Sequence, residues 1–258
     1  MIFTFKLPGQ TLGQLTKNVQ EKSKKKICFL GRLDPMASGI VCYFTDTECR
    51  LAKKYQHVDK TYKFNLVLGM STDSGDPLGL LSKVINITEW KKREIMELNF
   101  MEKFSNFEYE QLYPRFSSYV IKKDGMKKPL WFFTKYGNQI LKEELPKHKV
   151  KIYILEQIDK SFWIENTNYF IEDISKLNDG NLRKEEIIQQ YLGLKNIKLL
   201  VFPLIAKVSS GTYIRQLCED IGAYLNLPAM ADKIERVSYH FPSENGGELD
   251  FENYEIFD

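Results

Sequence analysis

Apolar positions along this chain follow two rhythms. Leu12, Leu15 and Val19 recur at helical spacing and predict a first helix over about residues 11–25. Two apolar runs follow, Ile27-Cys28-Phe29-Leu30 and Ile40-Val41-Cys42-Tyr43-Phe44, which enclose a glycine-bounded loop. A short helix is predicted around residues 49–56. Tyr62, Phe64, Leu66 and Leu68 alternate with Lys63, Asn65 and Val67, the period of a strand with one strongly buried face. Val150, Ile152 and Ile154 alternate again, as do parts of residues 199–208, where Pro203 predicts an edge strand or a bulge. Thr88 reads as the N-cap of a helix holding Trp90, Ile95 and Leu98. A last helix, about residues 213–225, puts Ile214, Leu217, Ile221 and Leu225 on one stripe, with Thr212 as its N-cap. Strands interleave irregularly with helices, without βαβ periodicity or a Gly-x-Gly-x-x-Gly loop, which predicts an α+β fold with a largely antiparallel sheet. No stretch rich in Gly, Pro or Ser interrupts the chain, so one domain to residue 242 and a short tail are expected.

Composition narrows the class. The 258 residues are 43% hydrophobic and 28% charged, enough apolar material for a sizeable core. Mean hydropathy is −0.36, and no apolar run approaches the roughly 18 residues of a membrane span. Lys6 and Pro8 break the start before a signal-peptide core could form, so a cytoplasmic location is expected. Cys28, Cys42, Cys49 and Cys218 show no Cys-x-x-Cys spacing, and His57, His148 and His240 are scattered. Free thiols and no metal or other cofactor are the expectation. Net charge is +3, but the six carboxylates of residues 243–258 stand without a Lys or Arg, which leaves the first 242 residues at +9. A basic body followed by an acidic tail fits a nucleic-acid partner, although moderate positive charge also serves solubility.

Three stretches carry chemistry. In Gly31-Arg32-Leu33-Asp34-Pro35-Met36-Ala37-Ser38-Gly39, Pro35 holds Asp34 in an extended conformation, and small residues leave room beside the carboxylate. Asp59-Lys60-Thr61-Tyr62 opens the alternating strand, with an aromatic ring able to stack on a base and a phenol able to move a proton. Ser209-Ser210-Gly211-Thr212-Tyr213-Ile214-Arg215 puts a cation in the first turn of a helix. There it opposes the dipole by about 0.3–1 kcal/mol unless a carboxylate or phosphate partners it. Taken singly, these stretches read equally as an Asp-Pro turn, a core tyrosine and a surface arginine.

Together, Gly-x-Leu-Asp-Pro-x-Ala-x-Gly, Asp-Lys-x-Tyr and Gly-Thr-Tyr-Ile-Arg, in this order, resemble the TruB-type tRNA pseudouridine synthases. The likeness runs from Lys6 to Pro242 and includes Lys6, Gly9 and Thr11 at the start and Arg236, Val237, Tyr239 and Pro242 at the end. It implies the pseudouridine synthase fold, a central, mainly antiparallel mixed sheet flanked by helices. It also implies isomerisation of an RNA uridine without a cofactor, by a monomer. Asp34 would be the nucleophile, Arg215 its ion-pair partner, and Tyr62 the ring stacked on the flipped base. Asp76 matches a family acid near that nucleotide, and its own reading is a turn cap before Pro77. Lys6, Arg32, Lys60, Lys122 and Lys123 are candidates for the phosphate backbone, or else solvated surface charges.

The chain also departs from the family. Phe29 stands where typical members carry a histidine that helps displace the base, and a phenyl ring can wedge or stack but cannot hydrogen-bond. That substitution bears on whether the target is the usual T-loop uridine at position 55. About residues 160–197 read as an insert, and no C-terminal RNA-binding module is expected. The other readings are a non-catalytic RNA-binding or RNA-folding protein on this scaffold, or the same chemistry on rRNA or mRNA.

Overall fold

The computed structural model describes residues 1–136, 140–177, 182–242 and 248–249. In chain order the elements are β1 (Ile2–Lys6), α1 (Leu12–Ser23), β2 (Ile27–Leu30), β3 (Ser38–Thr45), α2 (Leu51–Lys54), β4 (Asp59–Leu68), β5 (Met70–Thr72) and β6 (Leu81–Val84). There follow α3 (Glu89–Glu97), α4 (Phe100–Phe104), β7 (Phe107–Leu112), β8 (Val120–Lys123), β9 (Met126–Pro129) and α5 (Leu130–Lys135). The last are β10 (Lys147–Gln157), β11 (Phe162–Ile164), α6 (Asn168–Ser175), α7 (Lys184–Leu192), β12 (Leu199–Val208), α8 (Ile214–Tyr224), β13 (Ala229–Pro242) and β14 (Glu248–Leu249).

The central sheet runs β1-β3-β13-β4-β12-β10-β7, with β2 beside β3, β11 beside β12 and β14 beside β13. Among the described residues every pairing is antiparallel except β3 with β13, so the expected mainly antiparallel mixed sheet is present. Helix α1 starts where its sequence dictates. Thr11 Oγ1 accepts from Gln14 N at 3.2 Å while Gln14 Oε1 accepts from Thr11 N at 2.9 Å, a reciprocal capping box. Its buried stripe, Leu12, Leu15 and Val19, packs with Ile214, Leu217 and Ile221 of α8 against Tyr62, Phe64, Leu66, Phe202 and Leu204 of the sheet.

The opposite face is covered by α6 and α7. Phe170 and Ile174 of α6 and Ile187 and Tyr191 of α7 pack on Val67, Met70, Val201 and Met230. That second contact explains why β12 is buried on both faces over residues 199–202 while its second half alternates. Residues 178–181 of the insert and most of the acidic tail lie outside the described residues; Glu248–Leu249 pair with Phe241–Pro242.

Several local expectations shift. Pro203 lies in an interior strand, not at an edge: β12 runs between β4 and β10. Pro203 O accepts from Ile158 N at 3.0 Å. Since N–H and C=O of one strand residue point the same way, the missing donor falls where the neighbour of β12 changes from β10 to β11. In β10 a register shift between Ile152 and Ile154 hands the buried parity to Leu155 and leaves Ile154 exposed. Thr88 caps α3 as expected, accepting from Lys91 N, but of that helix only Ile95 is buried, and Trp90 is 72% exposed. The N-cap of α8 is Tyr213, not Thr212, whose hydroxyl instead donates to Ser209 O at 2.8 Å.

Helix α6 is seated on a buried acid. Asp232 Oδ2 accepts from Tyr169 of α6 at 3.0 Å and from Asn65 of β4 at 3.3 Å. Burial outweighs these donors and pushes its carboxyl up to about 6. A carboxyl raised in the folded state adds stability that is full below its unfolded pKa near 3.9. That contribution is lost as pH rises through 6. The wild type should therefore gain about 2 kcal/mol from this group between pH 7.5 and 4.5. Asp232→Asn, whatever its constant offset, should flatten the pH dependence of the urea midpoint by that amount, and parallel curves for the two proteins would refute the assignment.

Candidate active site

The Asp34 loop, between β2 and β3, is held from below. Lys6 ends β1 with its side chain fully buried, and its Nζ donates to Pro35 O at 2.9 Å, to Leu7 O at 3.2 Å and to Ala37 O. Gly9 N adds a bond to Pro35 O at 2.9 Å, and Ala37 N closes a turn on Asp34 O. Lys6 is thus a staple of this loop and not a phosphate contact, which corrects the expectation; a cation committed to three carbonyls cannot also reach a backbone phosphate. Burial lowers its pKa to about 8, against the pull of Asp34.

Arg236 holds the other side of the loop. Its backbone pairs with Gly39 across the parallel β3–β13 register. Gly39 has φ +114°, and a Cβ there would stand 2.2 Å from Arg236 O, so glycine is required. The Arg236 guanidinium is fully buried and donates to Ile40 O at 2.9 Å, Arg32 O at 3.3 Å and Gly31 O at 3.4 Å. It also bonds the side chain of Tyr62 and stacks 4.7 Å from the Tyr239 ring. In the sequence Arg236 stands out only as part of a closing strand. Its strand position flanked by Glu235 and Val237 gave no sign that it turns inward.

Arg215 enters from the first turn of α8. Its Nε donates to Asp34 Oδ2 at 2.8 Å and lies 3.7 Å from Asp76 Oδ2, while Nη1 donates to Ser74 O and Nη2 to Phe116 O at 3.1 Å. Its side chain is 3% exposed, Asp34's 37%. The guanidinium is therefore a buried bracket, and the carboxylate it holds faces outward. Burial works against the charge of Arg215, but Asp34 and Asp76 more than offset it and raise its pKa. Asp76 is itself fixed by Ser74 Oγ at 2.6 Å and Leu78 N at 3.0 Å, and burial, opposed by Arg215, raises its carboxyl.

Gln111, which no motif marks in the sequence, anchors α8. Fully buried, it donates from Nε2 to Tyr213 O at 3.2 Å and to Tyr109 Oη at 3.1 Å, and accepts Tyr213 N on Oε1 at 2.8 Å. It supplies the cap that Tyr213's own side chain does not. Tyr109 Oη then donates to Asp220 Oδ2 at 2.8 Å, and Gln216 Nε2 to Asp220 Oδ1 at 3.0 Å.

The Asp34 loop and the start of α8 border one cavity of about 680 Å³. Asp34, Tyr62, Arg215, Asp76, Lys60 and Arg32 all border it. Tyr62 is 8% exposed on β4, and Lys60, two residues earlier on the same face, donates to Val58 O and to Ser210 Oγ at 3.4 Å. Burial, then Arg236, lowers Lys60 to about 7. Three other candidates are not brought in. Phe29 packs its ring against the main core with Arg32 5.5 Å above it, so it does not face the cavity as a base wedge. Lys122 and Lys123 lie in the β8–β9 hairpin outside the cavity wall, and Lys123 pairs with Glu144 at 3.2 Å. The stretch expected as an insert, residues 160–197, contributes Leu182 and Arg183 to the wall, and Arg183 grips Asp73 with two bonds of 2.9 and 3.1 Å.

A cavity presenting one exposed carboxylate on a buried arginine, beside a phenol on a sheet of this topology, defines a class. Residues 17–168 match the family described as TruB family pseudouridylate synthase, N-terminal domain, and the chain belongs to that family. It is similar to the tRNA pseudouridine synthase B of Clostridium perfringens (strain 13), at 27% identity over 238 residues, 92% of this chain and 65% of that protein. The same-named protein of Blochmanniella pennsylvanica is 30% identical over 216 residues, 83% of this chain and 64% of the relative. That of Staphylococcus saprophyticus is 26% identical over 214 residues, 82% and 56%. The chain thus spans about three-fifths of the length of these relatives. A solved structure described as a Cbf5-Nop10-Gar1 complex shares the fold, with a TM-score of 0.53 at 17% identity over 93% of this chain and 48% of that one. Among the described residues no helix is long and apolar enough to cross a membrane.

Proposed function

We propose that this chain isomerises a uridine of RNA to pseudouridine, with tRNA as the substrate. The observation that carries the reading is the half-exposed Asp34 carboxylate held on buried Arg215 at the floor of the cavity. The reaction breaks the bond from N1 to the ribose C1′, turns the base, and joins C5 to C1′. The C5 proton leaves and N1 ends protonated, so no oxidant, reductant or water is consumed. Asp34 is the nucleophile on the displaced uridine. Arg215 keeps the carboxylate oriented without occupying the space in front of it. Tyr62 supplies a ring for the base and a phenol within reach of its moving protons, and Arg236 sets the phenol's position. A base stacked in an RNA cannot reach this floor, so it must be extruded, and the cavity is large enough to hold it.

The family relationship and the relatives' names support tRNA as substrate. The test is incubation of the purified protein with transcribed tRNA, followed by carbodiimide-blocked primer extension. A new stop at one uridine is expected. RNA bound tightly but returned without any new stop would favour the non-catalytic scaffold instead.

A further inference from the structure

Helix α1 links two regions of different character. Its first turn, with Thr11, Leu12 and Gly13, lines the cavity that holds Asp34. Beyond its midpoint it carries Lys17 and Lys22, and the chain goes on through Lys24, Lys25 and Lys26 into β2. All five lysines are exposed. Lys17, Gln20, Glu21 and Lys24 are spaced by three, four and seven residues and so share one face, and with Lys25 and Lys26 they border a shallow hollow.

Helix-end electrostatics does not account for this run. Cations near a helix C-terminus gain about 0.3–1 kcal/mol and only within the last turn, whereas Lys17 precedes that turn and Lys25 and Lys26 follow it. Lys17 and Glu21 approach to 3.8 Å, both well exposed, a pair worth little in water. Among the described residues Lys24, Lys25 and Lys26 form no ion pair. Around the hollow four lysines face one carboxylate, Glu21, so the patch keeps a net positive charge that favours an anion.

Helix geometry fixes where that anion lies. At about 1.5 Å per residue, Lys17 stands about 8 Å and Lys24 about 18 Å from the cavity wall at Leu12. The stripe between them spans about 10 Å, or about three consecutive phosphates of a stacked strand at about 3.4 Å per nucleotide. We infer that this face of α1 is a second docking surface, taking the phosphate backbone of the base-paired stem that adjoins the target uridine. The inference rests on the reading of the cavity as an RNA-modifying site. An RNA strand leaving the cavity along α1 meets the lysines in order, which favours it over the chain's own acidic residues 243–258 as their partner.

The experiment compares wild type with Lys24→Ala/Lys25→Ala/Lys26→Ala on two hairpins that share one loop and one target uridine. One hairpin has a stem long enough to run the length of α1, and the other is cut to a few pairs. Filter binding across a salt series should show the variant binding the long-stem RNA about 10- to 50-fold more weakly near 0.1 M salt, with a salt slope shallower by about three. The short-stem RNA should bind both proteins equally, and single-turnover rates at saturating RNA should match. Equal affinities on the long stem, or equal losses on both hairpins, would overturn the inference. Tighter long-stem binding by the variant would also overturn it, assigning the lysines to the acidic segment. Binding is read without turnover, so stem-dependent affinity without pseudouridine would instead refute the isomerase reading alone.

Discussion

Asp34→Asn should leave a folded protein that binds RNA as the wild type does and forms no pseudouridine. The amide is nearly isosteric and still offers an oxygen to Arg215 Nε, which now donates to Asp34 Oδ2 at 2.8 Å. Arg215 also keeps Asp76, Ser74 O and Phe116 O, so no buried charge is stranded. What is lost is the proposed nucleophile, and the rate should fall by at least about four orders of magnitude, the scale on which a nucleophile's removal is felt. Single-turnover assays with mapped pseudouridine, beside a binding isotherm on the same RNA, separate the two effects. Retained turnover in Asp34→Asn would end the catalytic assignment, and lost binding with a normal melting curve would make Asp34 a recognition residue instead.

The second large effect belongs to Arg215, and it reaches stability as well as rate. In Arg215→Met the side chain keeps its approximate length and apolar stem but gives up contacts to two carboxylates and two carbonyls. Asp76, buried at 6% exposure with its carboxyl already raised, loses the charge that offsets its burial. Removing one member of a buried pair costs about 3–5 kcal/mol, read here as a drop in the urea midpoint. A second change, Asp76→Asn, removes the stranded charge, so the double variant should recover much of that stability. The rate should not return with it, because Asp34 stays unoriented and misplacement of a reacting group costs about 10²-fold or more. Full stability in Arg215→Met alone would show that the bracket carries no load. Recovery of turnover in the double variant would show that Arg215 acts only on stability.

Part of the order of elements was legible because it is written locally. Periodicity gave α1, β4 and α8, with α1 expected over about residues 11–25 and found over Leu12–Ser23. The three motifs named Asp34, Tyr62 and Arg215, and the fold brings them to one cavity. What escaped depends on partners far away in the chain. Lys6 looks like any basic residue until it meets the Pro35 and Ala37 carbonyls some thirty residues later. Gln111 and Tyr213 are 102 residues apart, and no local pattern links them. Phe29 failed as a base wedge for a related reason. A strand residue's neighbours decide which way it is buried, and β2 turns this ring onto the core. Pro203 misled because a missing donor is tolerated wherever the neighbouring strand changes, and that is a property of topology, not of the residue.

The placement of β13 between β3 and β4 sets a timetable for biosynthesis. Residue 39 and residue 236, which must touch to seal the loop bearing Asp34, leave the ribosome about 200 codons apart. At ordinary elongation speeds of about 5–20 residues per second, residue 39 waits on the order of ten to forty seconds for its partner in β13. Through that interval the growing polypeptide holds Asp34 on an unclosed edge, without the Arg236 guanidinium that braces the loop. The edge is sealed only once β13 has emerged and inserted between β3 and β4.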